Sequence, residues 1–343
     1  MMETLVCTEP GHLEYKETDL PVSKAGNVII RITHIGVCGT DLHAFEGTQP
    51  YFTYPRILGH EIAAIIEDPA DADTFKTGDR VTFIPYFNCG FCVACRNGKP
   101  NCCVKLQVSG VHVDGGMRTH LSVPANTLVD GKGLSGEALA LIEPLAIGAH
   151  GIKRSGAGPG QNVLVIGAGP IGLGAMQFAA LAGARVIAMD VNESRLDFCR
   201  QKLNIPYTIN ARDHDVNEQL AALTNGEMAT VVIDATGNIH AINNGFHFIA
   251  HGGTYVLIGL QKQEIHFSHP EFHKREATLM SSRNATRSDF EYVMEMIRNN
   301  MIDPLSYITH RVNFGSAADQ FPGWLKQDTG VIKAMIIMQD RKT

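Results

Sequence analysis

The sequence predicts a two-domain α/β protein, with a β-rich first half followed by a doubly wound parallel sheet. The chain has 343 residues, which is more than one simple hydrophobic core usually serves. Short apolar runs bounded by turns fill the first half, whereas strand-like and helix-like segments alternate from residue 162 onward. Such alternation is typical of a parallel sheet covered by helices on both faces.

The β-rich half is predicted from apolar runs that follow turns. Strands are expected at residues 28–32, 62–66, 81–83 and 118–123. The third strand follows Gly78-Asp79-Arg80 and the fourth follows Gly115-Gly116. Residues 138–153 then have helical apolar spacing, which we expect Pro144 to interrupt.

The second half alternates between strands and helices. Strands are predicted at residues 162–166, 185–189, 230–233 and 254–258, and helices at residues 171–182 and 193–203. After about residue 284 there is one more helix, at residues 289–299, and two short strand candidates. This tail either forms a small third domain or returns to the first half, and the pattern alone leaves both possibilities open.

Composition and charge exclude several classes of partner. The net charge is −6 and no Lys/Arg-rich run occurs, so we expect no nucleic acid partner. The longest apolar region, residues 163–189, is broken by glycines and a proline, which argues against a membrane span. The chain opens Met1-Met2-Glu3-Thr4 without a charged segment and an apolar stretch after it, so we expect a cytoplasmic protein with reduced thiols.

Four cysteines predict a structural zinc site. They are spaced as Cys89-x2-Cys92-x2-Cys95-x7-Cys103. Four thiolates fill a tetrahedral zinc and leave no open coordination position. Disulfides are the alternative, which a reducing cytoplasm disfavours. The spacing favours Cys103 as the fourth ligand without excluding its neighbour Cys102.

A glycine-rich turn predicts a dinucleotide site. Gly167-Ala168-Gly169-Pro170-Ile171-Gly172 follows a predicted strand and opens a predicted helix. The first glycine allows the tight turn, the second allows backbone to approach a pyrophosphate, and the third allows close packing of helix and strand. The positive end of the helix dipole would then stabilise the phosphate charge.

Asp190 ends the next predicted strand, 18 residues after Gly172. A carboxylate there can accept a hydrogen bond from a ribose 2′-hydroxyl and would repel a 2′-phosphate, which favours NAD over NADP. Two alternatives remain: Asp190 as a helix N-cap near Asn192, and Arg195 as a partner for a 2′-phosphate.

A second metal site is indicated by residues far apart in the sequence. Cys38-Gly39-Thr40-Asp41-Leu42-His43 comes first, Gly59-His60-Glu61 follows, and Glu143-Pro144 comes much later. A thiolate, an imidazole and a carboxylate with one open position are typical of a catalytic zinc. His60 as a packed polar residue, and Cys38 as a core or redox-sensing thiol, are the alternatives. Zinc together with NAD suggests alcohol oxidation.

These motifs together resemble the medium-chain, zinc-dependent alcohol dehydrogenases, in the polyol and threonine dehydrogenase branch. Gly78-Asp79-Arg80-Val81 and Thr309-His310-Arg311 add to the likeness, which extends over almost the whole chain. The resemblance implies a GroES-like β-barrel catalytic domain at residues 1–148 and 284–343, completed by the tail. It implies a Rossmann NAD-binding domain at residues 149–283.

The resemblance also assigns roles within the catalytic site. Cys38, His60 and Glu61 match the catalytic zinc ligands, and Glu143 matches a position that binds that zinc in some states or holds its water. Thr40 matches the hydroxyl residue that takes the alcohol proton, and His43 matches a relay toward solvent. A helix N-cap is the alternative role for Thr40, and an ordinary surface histidine is the alternative for His43.

The substrate class follows from the same likeness. Glu143-Pro144-Leu145-Ala146 resembles sorbitol-type enzymes, and Arg283 matches an arginine that contacts the polyol in that branch. Because arginine can bind a carboxylate with two hydrogen bonds, a sugar acid fits as well. A surface arginine with a purely structural role is the alternative for Arg283. Residues 45–50 resemble sugar-acid dehydrogenases of the L-galactonate type and the starvation-sensing type.

The implied activity is hydride transfer between NAD and a secondary hydroxyl of a polyol or aldonate, such as L-galactonate. L-Threonine oxidation is the alternative activity, and a zinc- and NAD-binding regulator without turnover is the alternative class. Residues 254–259 resemble the edge strand through which such domains pair, which implies a homodimer or homotetramer.

Overall fold

A computed structural model of the chain describes residues 1–50, 52–326 and 329–338. It divides into two compact units. The first unit contains residues 1–143 and 286–343, and the second contains residues 144–285. The resemblance had placed the boundaries at 148/149 and 283/284. No helix among the described residues is long and apolar enough to cross a membrane.

The first unit is built on antiparallel strands. Those before residue 131 are β1 (Met2–Glu9), β2 (His12–Thr18), β3 (Asn27–Val37), β4 (Arg56–Ile57), β5 (Glu61–Asp68), β6 (Arg80–Phe83), β7 (Tyr86–Phe87), β8 (Gln107–Val108), β9 (His120–Pro124) and β10 (Leu128–Asp130). Two short helices lie among them, α1 (Gly39–Glu46) and α2 (Val93–Arg96). The predicted strand at 118–123 begins two residues late, because the Arg118 N–H donates to the Gly116 carbonyl and prolongs the turn.

The helical region around Pro144 is also broken, but at a different residue. Helix α3 (Gly136–Ala140) ends before Leu141, and α4 runs over Ile142–Ser155. Pro144 lies in the first turn of α4, where a backbone N–H has no partner within the helix in any case. The predicted interruption of this helical region is therefore confirmed, and it falls at Leu141, three residues before Pro144.

The second unit is a six-stranded parallel sheet. Its strands are β11 (Asn162–Ile166), β12 (Arg185–Asp190), β13 (Tyr207–Asn210), β14 (Ala229–Asp234), β15 (Ile249–Leu257) and β16 (Thr278–Ser281). The helices are α5 (Pro170–Leu181), α6 (Glu193–Lys202), α7 (Val216–Leu223), α8 (Ile239–Gly245) and α9 (His269–Lys274). The strand order β13-β12-β11-β14-β15-β16 confirms the predicted doubly wound sheet, with its switch point between β11 and β14.

The strand at the edge of this sheet differs from the predicted edge strand. Residues 254–259 were expected to resemble the edge strand, but β15 lies between β14 and β16 and pairs with both. The edge strand is β16, most of which is exposed. The sequence pattern suggested otherwise because the short run Thr278–Ser281 gives a weak strand signal.

The tail of the chain returns to the first unit. Helix α10 (Arg287–Arg298) is followed by β17 (Ile308–Asn313), α11 (Ala317–Trp324) and β18 (Lys333–Ile337). Strand β18 pairs with β17 in parallel and with β3 antiparallel. The described part of the tail therefore extends the sheet β10-β6-β5-β3-β18-β17 and belongs to the first unit.

Candidate active site

Asp41 organises the segment that carries Cys38. Cys38 is the N-cap of α1, and Asp41 lies three residues later with no exposed surface. One carboxylate oxygen of Asp41 accepts from the Cys38 N–H at 2.9 Å, and the other accepts from the Gly59 N–H at 3.0 Å. The same carboxylate is 3.9 Å from Nδ1 of His60. Sequence reasoning gave Asp41 no role, although its position matches a capping box.

Three predicted ligands come together at this place. The ligand atoms of Cys38, His60 and Glu61 all lie within 4.8 Å of one another. His60 and Glu61 are buried at the start of β5, and Cys38 is half-buried. A thiolate, an imidazole and a carboxylate this close can bind one zinc ion.

Lys333 is part of this centre, which sequence reasoning missed. Its ammonium group donates to the two carboxylate oxygens of Glu61 at 2.7 and 2.6 Å, and to the Val37 carbonyl at 3.1 Å. The side chains of Lys333 and Glu61 are 2% and 0% exposed. Burial disfavours a charged lysine, but the charges of Glu61 and Cys38 outweigh it and raise the pKa of Lys333. A lysine within an otherwise apolar strand was the available sequence signal.

Glu143, the other predicted carboxylate, is held by Tyr86, whereas Glu61 is held by Lys333. The hydroxyl of Tyr86 donates to Oε1 of Glu143, while Oε2 is buried and has no hydrogen-bond partner among the described residues. Glu143 is not in the group of ligand atoms within 4.8 Å. Burial raises the pKa of Glu143 to about 7. Because a buried acceptor without a partner is costly, Oε2 is suited to a metal ion.

The charge balance of the centre favours a cation. Burial opposes protonation of His60, but the negative charges of Cys38 and Asp41 raise its pKa well above the usual range. A divalent metal would satisfy the same excess of negative charge and would replace the proton. The residues present therefore fit a zinc ion.

Thr40 and His43 lie on the same helix as Cys38. Thr40 is half-buried in the first turn of α1. The N-cap of this helix is Cys38, so Thr40 does not have the alternative role of N-cap. The side chain of His43 is 60% exposed, with Nδ1 3.5 Å from a Glu46 carboxylate oxygen and 3.3 Å from the Thr48 hydroxyl. The structure thus places His43 at the surface.

The four-cysteine loop forms a second cluster. The Sγ atoms of Cys89, Cys92, Cys95 and Cys103 lie within 4.8 Å of one another. Backbone N–H groups that donate to the Cys92 thiol lower its pKa to about 6, which favours the thiolate. Desolvation and the Cys92 thiol raise the pKa of Cys95 to about 11. Cys102 is exposed and outside the cluster, so the spacing argument for Cys103 agrees with the structure.

The glycine-rich turn joins β11 to α5 in the second unit. Gly167 has a φ of +97°, which favours glycine, and Gly169 is the N-cap of α5. Pro170 is the first residue of α5, and Ile171 follows it in the first turn. A Cβ on Gly172 would lie 1.8 Å from the Gly167 carbonyl oxygen. The turn has the compact form that a pyrophosphate requires.

Asp190 supports this turn. Its carboxylate accepts from the Ala168 N–H at 2.6 Å and from the Asn192 N–H at 2.8 Å. The N-cap of α6 is Asn192, so the N-cap alternative for Asp190 was wrong. Arg195 has a guanidinium nitrogen 3.9 Å from the same carboxylate.

Arg283, the predicted substrate-binding arginine, lies just after β16 and is exposed.

Comparison with known proteins identifies the family. Residues 24–132 match the alcohol dehydrogenase GroES-like domain, and residues 170–299 match the zinc-binding dehydrogenase domain. The L-galactonate-5-dehydrogenase of Escherichia coli K12 is 43% identical over 336 residues, covering 98% of each chain. The chain belongs to the zinc-type medium-chain alcohol dehydrogenases.

Other relatives of this dehydrogenase agree. A sorbitol dehydrogenase from Halalkalibacterium halodurans is 31% identical over 90% of this chain and 92% of its own. The structure of RspB from E. coli CFT073 with NADH is 27% identical, covers 98% and 99% of the two chains, and has a TM-score of 0.91. A zinc-binding dehydrogenase structure from Sinorhizobium meliloti with NADP is 26% identical, with the same coverage and TM-score. These matches confirm the predicted GroES-like and Rossmann folds and a dehydrogenase that uses zinc and a nicotinamide cofactor.

We predict that Gly172→Ala disrupts cofactor binding. The added Cβ cannot fit 1.8 Å from the Gly167 carbonyl oxygen, so the turn and α5 must separate. The Kd for NADH, measured by fluorescence titration, should rise at least about tenfold, which is about 1.4 kcal/mol. Gly158→Ala is the control, because its Cβ would meet only the Ala182 carbonyl oxygen at 3.9 Å. Equal affinities for the two variants would contradict this account of the turn.

We predict that Lys333→Met strongly destabilises the first unit. It leaves the Glu61 carboxylate buried without its cation, which typically costs about 3–5 kcal/mol. Urea unfolding followed by fluorescence of Trp324, the single tryptophan of the chain, measures the loss. The double variant Lys333→Met with Glu61→Gln removes both charges and should recover much of the stability. A loss below about 1 kcal/mol in the single variant would show that the pair contributes no more than an exposed salt bridge.

Proposed function

We propose that the chain is a zinc-dependent, NAD-linked dehydrogenase that moves a hydride between NAD and the carbon that bears a secondary hydroxyl of a polyol or sugar acid. The observation that carries this proposal is the buried cluster of Cys38, His60 and Glu61, in a chain that also has a complete glycine-rich turn. The names of the relatives supply the substrate class, since one acts on L-galactonate and another on sorbitol.

The catalytic metal would be held by Cys38, His60 and a carboxylate from Glu61 or Glu143. A second zinc would be held by the four-cysteine loop, giving two ions per chain. Zinc bound at the first site supplies a Lewis acid for the substrate hydroxyl. Asp41 orients the Gly59-His60 backbone and the start of α1, so the thiolate and imidazole are placed before the metal arrives.

Proton transfer would run through α1. Thr40 would accept the hydroxyl proton of the substrate, and His43 would pass it to solvent. The exposed ring of His43, within 3.3 Å of the Thr48 hydroxyl, supports the second step because it can exchange protons with water.

The nicotinamide cofactor would be bound by Gly167, Gly169, Pro170, Ile171 and Gly172 at the pyrophosphate and by Asp190 at the adenosine ribose. We favour NAD over NADP because the Asp190 carboxylate would repel a 2′-phosphate. Its ion pair with Arg195 reduces the charge that Arg195 offers to such a phosphate. The two structural relatives carry different cofactors, so this residue pair is the basis of the choice.

Arg283 would pair with the carboxylate of a sugar acid, which makes the aldonate the favoured substrate over the matching polyol. As a guanidinium it can donate two hydrogen bonds to a carboxylate. A homodimer or homotetramer, without nucleic acid or membrane partners, remains our prediction for the assembly.

The test is NADH formation by zinc-replete protein on aldonates, hexitols, pentitols and L-threonine, each with NAD and with NADP. We expect turnover on an aldonate with NAD. Arg283→Ala should raise KM for that aldonate about 10- to 100-fold, because hydrogen bonds to charged groups are worth about 1.5–3 kcal/mol. KM for the matching hexitol should change much less.

Arg212→Ala is the matched control, since Arg212 is an exposed arginine of the same unit. If Arg283→Ala raised KM equally for the aldonate and the hexitol, the proposed contact between Arg283 and the substrate carboxylate would be contradicted. Turnover of L-threonine alone would contradict the proposed substrate class.

A further inference from the structure

Tyr86 is held firmly beside Glu143. It lies on β7, which pairs with β8 to close the segment that carries the four cysteines. Its side chain is 4% exposed. The ring packs edge-on against Phe290 of α10, with centroids 6.4 Å apart and planes at 80°. A phenol held by a strand pair and by an aromatic contact has little freedom to move.

The two carboxylates of the centre are held in different ways. Both oxygens of Glu61 accept from the ammonium group of Lys333. Within the part of the chain that the structure describes, Oε1 of Glu143 accepts from the Tyr86 hydroxyl and Oε2 has no hydrogen-bond partner. Glu143 therefore has one hydrogen-bonded oxygen and one without a partner, and the Tyr86 hydroxyl determines that the hydrogen-bonded oxygen is Oε1.

We propose that Tyr86 is a positioning residue that holds Oε1 of Glu143 and thereby presents Oε2, alone, to the catalytic metal. This inference rests on the metal site of the proposed function. Without the phenol, both oxygens of Glu143 are free to turn toward the metal, so the coordination and its strength change. Groups that hold metal ligands by hydrogen bonds typically contribute about 10- to 100-fold to metal affinity.

The hydrogen bond from Tyr86 also limits how many oxygens of Glu143 can bind the metal. A carboxylate anchored at one oxygen binds a metal through the other, whereas a free carboxylate can use both. Tyr86→Phe removes one oxygen atom and keeps the ring, so the packing against Phe290 remains. The variant therefore isolates the hydrogen bond from the packing.

Cobalt is the probe for this proposal. Co²⁺ exchanged into the Cys38–His60 site, with zinc retained in the four-cysteine loop, has a visible spectrum that depends on coordination geometry. The band should be absent in Cys38→Ser, which identifies it. In Tyr86→Phe the band should shift, and the affinity for Co²⁺ should fall about 10- to 100-fold.

Two controls separate this role from a structural one. Tyr255→Phe removes another buried tyrosine hydroxyl, which donates to the Ile242 carbonyl at 3.0 Å in the second unit, and should leave the band unchanged. Adding Tyr86→Phe to Glu143→Ala should cause no further shift of the band, because the carboxylate that the Tyr86 hydroxyl contacts is already gone. If Tyr86→Phe instead caused a general loss of packing, the double variant would shift the band further than Glu143→Ala alone.

The outcomes distinguish the two levels of the proposal. A normal band in Tyr86→Phe, with Co²⁺ affinity unchanged, would overturn the role of Tyr86 and leave the proposed function intact. A shift of equal size in Tyr255→Phe would also overturn it. If the unaltered protein gave no band that depends on Cys38, the catalytic metal site itself would be wrong, and the role of Tyr86 with it.

Discussion

The buried ion pair between Lys333 and Glu61 is the interaction on which the cluster of Cys38, His60 and Glu61 depends. It joins β18, from the tail, to β5, from the first half, across β3 between them. Gly36 on β3 makes room for it, because a Cβ there would lie 2.1 Å from Oε2 of Glu61. Two charges removed from water in this way must stay together, so the position of the tail and the charge of the centre are coupled.

Buried carboxylates recur as supports for the loops that carry chemistry. Asp41 accepts from the backbone N–H groups of Cys38 and Gly59, and Asp190 accepts from Ala168 in the glycine-rich turn. Asp234, at the end of β14, accepts from the backbone and hydroxyl of Thr236. In each case a charge-assisted hydrogen bond holds irregular backbone in one conformation before a ligand binds. The functional loops of each unit are thus organised by residues that need not touch the substrate.

Most of the fold and the residues of the two clusters could be predicted because their signals are local. The spacing of the four cysteines, the strand-turn-helix context of Gly167 and the Cys38 segment each lie within a short stretch of sequence. The residues that were missed act over long distances in the sequence: Tyr86 reaches Glu143 and Lys333 reaches Glu61. No periodicity links such pairs, since only the folded sheet brings them together.

The errors in the element predictions have a similar origin. The helix break expected at Pro144 occurs three residues earlier, at Leu141, because a proline disturbs the turn on its N-terminal side and the start of α4 was not evident from the sequence. The edge of the parallel sheet was misplaced because strand order is a property of the topology, and apolar runs do not encode it.

Metal content tests the central claim most directly. Zinc per chain would be measured by mass spectrometry of the metal on the intact protein, on Cys38→Ser and on Cys102→Ser. Two ions per chain in the intact protein, one in Cys38→Ser and two in Cys102→Ser would support a catalytic centre separate from the four-cysteine site. Two ions retained in Cys38→Ser, or one in the intact protein, would contradict it.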